Sequence, residues 1–244
     1  LALLIIGVYL GDSFAIWKTF GWFVTPLTFT EVLVVRGASY LLAFLNYTVG
    51  QGAIVYFVKR SRGVPILRGT AAVLLVMGIN ILLLLLLTTL GLFVNPNLSP
   101  ALRTVIYVAY GALAVYITLL IIKPRWLTAR PIFDVLFSAG LVGHLKALAV
   151  RVPHVAVLMA FNYASMHAFG VRVPVAQALL CLPIIYFISA LPIAVMGLGT
   201  SQLAFVYFFS SYVPDATPEA AKTVVVTASL ASQAAAVVIQ STLG

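Results

Sequence analysis

The chain has 244 residues, of which 63% are hydrophobic and only 8% charged, and its formal net charge is +9. A water-soluble domain carries about 25% charged residues to cover its surface, so this composition excludes one and makes lipid the solvent for most of the exterior. The cation excess fits positive-inside bias and anionic headgroups rather than nucleic acid. The single Cys181 excludes both a disulfide framework and a thiolate metal site.

Uncharged apolar runs set the expected spans, each long enough at 1.5 Å per residue to cross about 30 Å of hydrocarbon. The chain opens at Leu1 without a methionine, as a trimmed sequence would, and residues 1–10 read as the end of a first span. Trp17, Phe20, Trp22 and Phe23 read as an interfacial aromatic cluster, followed by a polar patch with Glu31 and Arg36. A second span is predicted over residues 39–58 and a third over 69–93, closed by the Asn-Pro-Asn-Leu-Ser-Pro turn at 95–100. The fourth covers 104–122. Residues 131–150 place Phe133, Leu136, Phe137, Leu141, Leu145 and Leu148 at helical spacing, which predicts an amphipathic helix along the membrane surface. Spans at 153–169 and 174–192 follow, then a broken region at 192–199, a short apolar helix at 200–212 and a last span at 220–242. The predicted fold class is all-α, a polytopic bundle of about 7–8 spans with two broken or re-entrant helices. Residues 1–244 form one integral-membrane domain in this reading, with repeat halves near 1–122 and 131–244.

Loop charges give an orientation. The 59–68 loop carries Lys59, Arg60, Arg62 and Arg68, and the 123–130 loop carries Lys123, Arg125 and Arg130. Both belong in the cytoplasm by the positive-inside rule. Alternating spans then put the two termini inside as well, in a multi-pass protein of the cell inner membrane.

One pattern occurs twice. Gly50-Gln51-Gly52 followed by an aromatic segment at 54–58 is echoed by Gly197-Leu198-Gly199, then Thr200, Gln202 and an aromatic segment at 205–209. Paired glycine-interrupted hydrophobic segments point to a transporter site at a repeat interface, because a helix broken in lipid must line a cavity with its freed backbone groups. The alternative is that these glycines only let helices pack closely. Arg60, Arg62 and Arg68 set topology, or draw a lipid phosphate toward the cavity mouth.

These same segments resemble the lysylphosphatidylglycerol-synthase transmembrane region, a flippase-like family. The resemblance rests on Asn46 to Arg60 with Gly63, and on Leu191-Pro192 through Gly197, Gly199 and Gln202. It implies a polytopic inner-membrane protein that moves or positions a lipid; the duplicated pattern itself makes Gly50, Gln51, Gly52, Gly197, Gly199, Thr200 and Gln202 the residues expected to line the site. Gln51 and Gln202 stand where that family has acids, and Val49 stands near its first proline. Proton coupling through those positions is therefore not expected of this chain.

Other chemistry finds little support. Lys123 to Arg130-Pro131 resembles the first signature of the lipid-phosphatase family, but the histidine motifs that chemistry needs are absent from the sequence. No Walker loop or nucleophile elbow occurs. His144, His154 and His167 lack metal-ligand spacing, so neither metal nor cofactor is expected; as intramembrane ionisable groups, His154 and His167 remain secondary candidates. Asn46 joins them. The expected function is a lipid flippase-like transporter of an anionic or polyprenyl-linked polar lipid. The alternative is an integral-membrane transferase, or the membrane half of one, acting on a lipid-linked substrate, with Asp134 and His144 as its candidate cluster of acid and histidine. Expected partners are membrane lipids, with a second copy or a partner enzyme left open.

Overall fold

In lipid an apolar segment has only its own carbonyls to satisfy its amides, so the long uncharged runs fold as helices. The structure, a computed structural model, describes residues 1–45, 47–94, 100–190 and 199–243. Its helices are α1 (Ala2–Phe23), α2 (Phe29–Leu45), α3 (Tyr47–Arg62), α4 (Ile66–Val94), α5 (Pro100–Ile122), the short α6 (Arg125–Thr128), α7 (Asp134–Ala168), α8 (Val175–Ala190), α9 (Thr200–Phe209) and α10 (Pro218–Thr242). No strand occurs among the described residues. Among the described residues five helices are long and apolar enough to cross a membrane, those at Ala2–Phe23, Ile66–Gly91, Arg103–Ile122, Pro131–Ala168 and Pro218–Thr242.

The expected spans over 69–93, 104–122 and 220–242 correspond to α4, α5 and α10. The last begins where Thr217 accepts the Ala220 amide at 3.3 Å, with Pro218 in the first turn. Of the turn expected at 95–100 and the broken region expected at 192–199, residues 95–99 and 192–198 lie outside the described residues.

Three expectations are corrected. Ala2–Phe23 form one helix, so the first span does not end near residue 10, and Trp17, Phe20, Trp22 and Phe23 all belong to α1; Phe20 is buried and Trp17 Nε1 donates to the Leu27 carbonyl at 2.7 Å. The surface helix expected at 131–150 and the span expected at 153–169 are not separated at 150–153: α7 runs on through Pro153, and its kink falls instead at Gly140 (φ 55°, ψ −173°), where two helical stretches join. That backbone conformation suits glycine, and His144 Nδ1–H bonds the Gly140 carbonyl at 2.6 Å, satisfying an acceptor at the bend.

The third correction concerns residues 39–58, which do not cross as one helix. α2 and α3 fold back on each other as an antiparallel hairpin. A Cβ on Gly50 would lie 2.5 Å from Ala43 Cβ and 2.7 Å from the Ala43 backbone nitrogen. At the other end Arg62 Nη2 pairs with Glu31 Oε1 at 2.7 Å. Residues 43 with 50 and 31 with 62 are symmetric about the turn, as only a hairpin allows. Gly50-Gln51-Gly52 are helical, so the break expected there does not exist.

Glycine also sets the α1–α7 contact. Gly7 and Gly11 form a small-xxx-small pair, and a Cβ on either would come within 3.0 Å of α7, at Val157 and at the His154 Cα. Farther along, a Cβ on Gly143 would meet Phe23 at 2.8 Å. The two helices therefore run antiparallel. Arg68 Nη2 reaches the Phe23 carbonyl at 3.5 Å and Arg68 Nε pairs with Asp134 at 3.4 Å. The cation-rich end of the bundle thus holds the end of α1, both ends of the hairpin and the starts of α4 and α7. Leu1 lies at the opposite end of α1, contrary to the orientation expected for the N-terminus.

Candidate functional site

A carboxylate inside an apolar helix must be paired or neutralised, and Asp12 of α1 is paired twice. Its Oδ2 accepts Arg36 Nε at 2.9 Å, Arg36 Nη2 at 2.5 Å and the Tyr40 hydroxyl at 2.8 Å. Its Oδ1 accepts Arg151 Nη1. Arg151 Nε in turn donates to Asn80 Oδ1 at 3.0 Å. Four helices meet here: α1 with Asp12, α2 with Arg36 and Tyr40, α4 with Asn80, and α7 with Arg151.

Local sequence explains how each helix presents its group. Arg36 and Tyr40 are four residues apart, one turn along one face of α2, which stacks the guanidinium 4.7 Å from the ring centroid. Tyr9 and Asp12 share a face of α1, and the Tyr9 hydroxyl ties it to the Leu33 carbonyl of α2 at 2.5 Å. Gly11, beside Asp12, lets the α1 backbone approach α7 closely enough for Asp12 to reach Arg151. His154, one turn after Arg151, donates from Nδ1 to the Val8 carbonyl at 3.1 Å.

The charges do not balance. Asp12, Arg36 and Arg151 are 2%, 6% and 9% exposed, and they sum to one excess positive charge. Asp12 already accepts four hydrogen bonds, about the capacity of a carboxylate. Arg36 Nη1 and Arg151 Nη2 make no hydrogen bond among the described residues, yet neither is sealed off from its surroundings.

The residues expected from the sequence fall elsewhere. Gly50 sits at the contact of the hairpin arms, Gln51 is half-buried and Gly52 is exposed with open space beside it. Arg60 is exposed, Arg62 is held by Glu31, and Arg68 by Asp134. Gly199 has φ +91° and caps α9, donating its N–H to Gln202 Oε1 at 2.7 Å. Ser201 Oγ also donates to that oxygen, at 3.0 Å, while Gln202 Nε2 donates to Gln233 Oε1 of α10 at 3.3 Å. The Gln202 amide thus ends one helix and ties it to another. Thr200 is half-buried beside it. Gly197 and Asn46 lie outside the described residues. α10 packs against both α2 and α9.

The histidines and Asp134 do not form an acid-base pair. Asp134 is exposed on Arg68, while His144 is buried with Nε2 2.6 Å from the Tyr116 hydroxyl. His167 is half-buried, with Nδ1 on the Tyr163 carbonyl at 3.1 Å. Among the described residues no group of three metal-ligating side chains occurs.

Sequence reasoning passed over Asp12 and Arg151, and it left Arg36 in a polar patch. The signal was available: an ionisable residue inside an apolar segment is a functional candidate by default. The expected boundaries hide it: Asp12 and Arg36 fall between the spans expected at 1–10 and 39–58, and Arg151 falls between the surface helix expected at 131–150 and the span expected at 153–169. Comparison with protein-family models, with curated proteins and with solved structures finds no match, so the site itself carries the reading of function.

Proposed function

We propose that the chain is a lipid flippase-like transporter that moves or positions an anionic or polyprenyl-linked polar lipid across the cell inner membrane. The observation that supports this reading most directly is the helical hairpin α2–α3. Both its ends lie at the cation-rich end of the bundle, and its first arm carries Arg36 to a buried, net-positive cluster with Asp12 and Arg151. Each charged side chain at the centre of a membrane helix costs about 2.5–3.5 kcal/mol on insertion scales. A polar headgroup crossing the bilayer needs such an interior. The exposed Lys59 and Arg60, together with Arg62 and Arg68, stand at the hairpin's open end, where they would gather anionic headgroups from the facing leaflet.

The test is reconstitution into vesicles that carry a fluorescent anionic lipid, with a membrane-impermeant quencher outside. Wild-type protein should accelerate exchange between leaflets, and Arg36→Gln should slow it at least tenfold. Exchange no faster than in protein-free vesicles would sink the proposal. The transferase alternative gains no support, because Asp134 and His144 occupy separate environments on α7.

A further inference from the structure

The fate of the surplus positive charge deepens this reading and rests on it. The chain contains five acids in all. Asp12 is saturated, Glu31 is taken by Arg62 and Asp134 by Arg68 at the cation-rich end, and Asp215 and Glu219 are exposed in the loop before and at the start of α10. No carboxylate remains to neutralise the second guanidinium. The Nδ1–H of His154 is held by the Val8 carbonyl, and the hydroxyls of Tyr9 and Tyr40 donate to the Leu33 carbonyl and to Asp12 Oδ2, so none of these neighbours supplies negative charge.

We infer that Arg36 and Arg151 bind a phosphate group, held between their two guanidinium groups beside Asp12. Arginine presents planar forks of donors that match tetrahedral oxyanions and keep their charge when buried. The two nitrogens that lack partners among the described residues, Arg36 Nη1 and Arg151 Nη2, belong to the two side chains that Asp12 draws together. A phosphodiester, carrying one negative charge, brings the cluster to neutrality. A phosphomonoester overshoots by up to one charge, so the diester is preferred. Asp12 acts as the positioning residue: it aligns both arginines and leaves one charge for the ligand.

The test is ligand-dependent thermal stability of the detergent-solubilised full chain. The probes are dihexanoyl phosphatidylglycerol (a lipid phosphodiester), inorganic phosphate, and dihexanoylglycerol, which lacks phosphate. Saturable stabilisation by the phosphodiester, and none by dihexanoylglycerol, is expected. Equal stabilisation by inorganic phosphate would assign the site to the free anion, and weaker stabilisation would assign it to a lipid headgroup. Arg151→Gln leaves the neutral Asp12–Arg36 pair, so it should keep its fold and lose the ligand effect at least tenfold. Arg36→Lys keeps the charge but not the fork; it is expected to weaken the effect about tenfold, and it provides the reading if Arg151→Gln does not fold. No saturable effect of either phosphate probe, or an undiminished effect in both variants, would overturn the inference. Exchange of lipid in vesicles is scored separately. Exchange without phosphate binding removes this inference alone, and binding without exchange removes the transport reading alone.

Discussion

At the scale of single residues, the two glycines of the 50–52 triplet have opposite roles. A methyl group on Gly50 would run into the backbone of Ala43, which cannot yield as a side-chain tip can. Gly50→Ala is therefore expected to destabilise the protein by about 1–3 kcal/mol through overpacking. Gly52 meets nothing within 4 Å, so Gly52→Ala should stabilise helix α3 by about 0.5–1 kcal/mol through helix propensity. Thermal melts of the two variants check the contrast; similar shifts would contradict the packed hairpin. The sequence displayed both glycines, but neither composition nor spacing reveals which face of a helix meets another backbone.

Glu31 supplies the other residue-scale prediction. It forms a capping box with Thr28, accepting the Thr28 N–H at 2.8 Å while its own N–H donates to Thr28 Oγ1 at 3.2 Å, and it also holds Arg62. The Thr28 amide bond, followed by the Thr28 hydroxyl and Arg62, holds the Glu31 carboxyl below the usual glutamate range despite a smaller opposing effect of burial. A depressed folded-state pKa adds stability that is fully present above the unfolded value, about 4.3, and is lost as pH falls through the folded one. Wild type should therefore melt above Glu31→Gln at pH 7, with the gap closing as the pH is lowered through and below 4.3. A gap independent of pH would show that the charge is not the cause.

At the scale of elements, the hairpin is the feature that sequence periodicity could not supply. Residues 39–58 form an uncharged run long enough to cross, and one reversal inside it changes no composition. Two consequences separate the hairpin from a crossing helix. Thr30 and Ser61 are both exposed at its open end, whereas a single span would put Ser61 on the side opposite Thr30. Single cysteines at these positions, in a chain whose buried Cys181 is replaced by alanine, should both react with an impermeant thiol reagent added from the same side. Labelling from opposite sides would restore the spanning helix. The α1–α7 contact is the second element-scale device, and its Gly7-x-x-x-Gly11 pair was legible in the sequence. Its importance was not, because the partner surface on α7 is distant in the chain.

For the whole molecule, an exterior so poor in charge predicts an all-helical membrane bundle, and the described residues are helical without strands, with five helices long and apolar enough to cross a membrane. The cluster that gives the interior its character was hidden by its dispersal: Asp12, Arg36 and Arg151 lie on three helices, and the α1–α2–α7 packing joins them. This dispersal raises the question whether the cluster exists to hold the helices or to do something else. Buried ion clusters in soluble proteins can be replaced by apolar residues at no loss, or with a gain of about 1–4 kcal/mol, whereas removing one partner costs about 3–5 kcal/mol. In lipid the apolar replacement also removes the insertion penalty of three charges. The triple variant Asp12→Leu with Arg36→Met and Arg151→Met is therefore expected to melt at or above wild type and to lose lipid exchange. Asp12→Leu alone, which strands two guanidiniums, should melt well below it. If the triple variant instead melts as low as Asp12→Leu, the cluster is what fastens α1, α2 and α7 together, and its surplus charge is incidental to transport. A triple variant that is stable and still exchanges lipid would place the transport path elsewhere in the bundle.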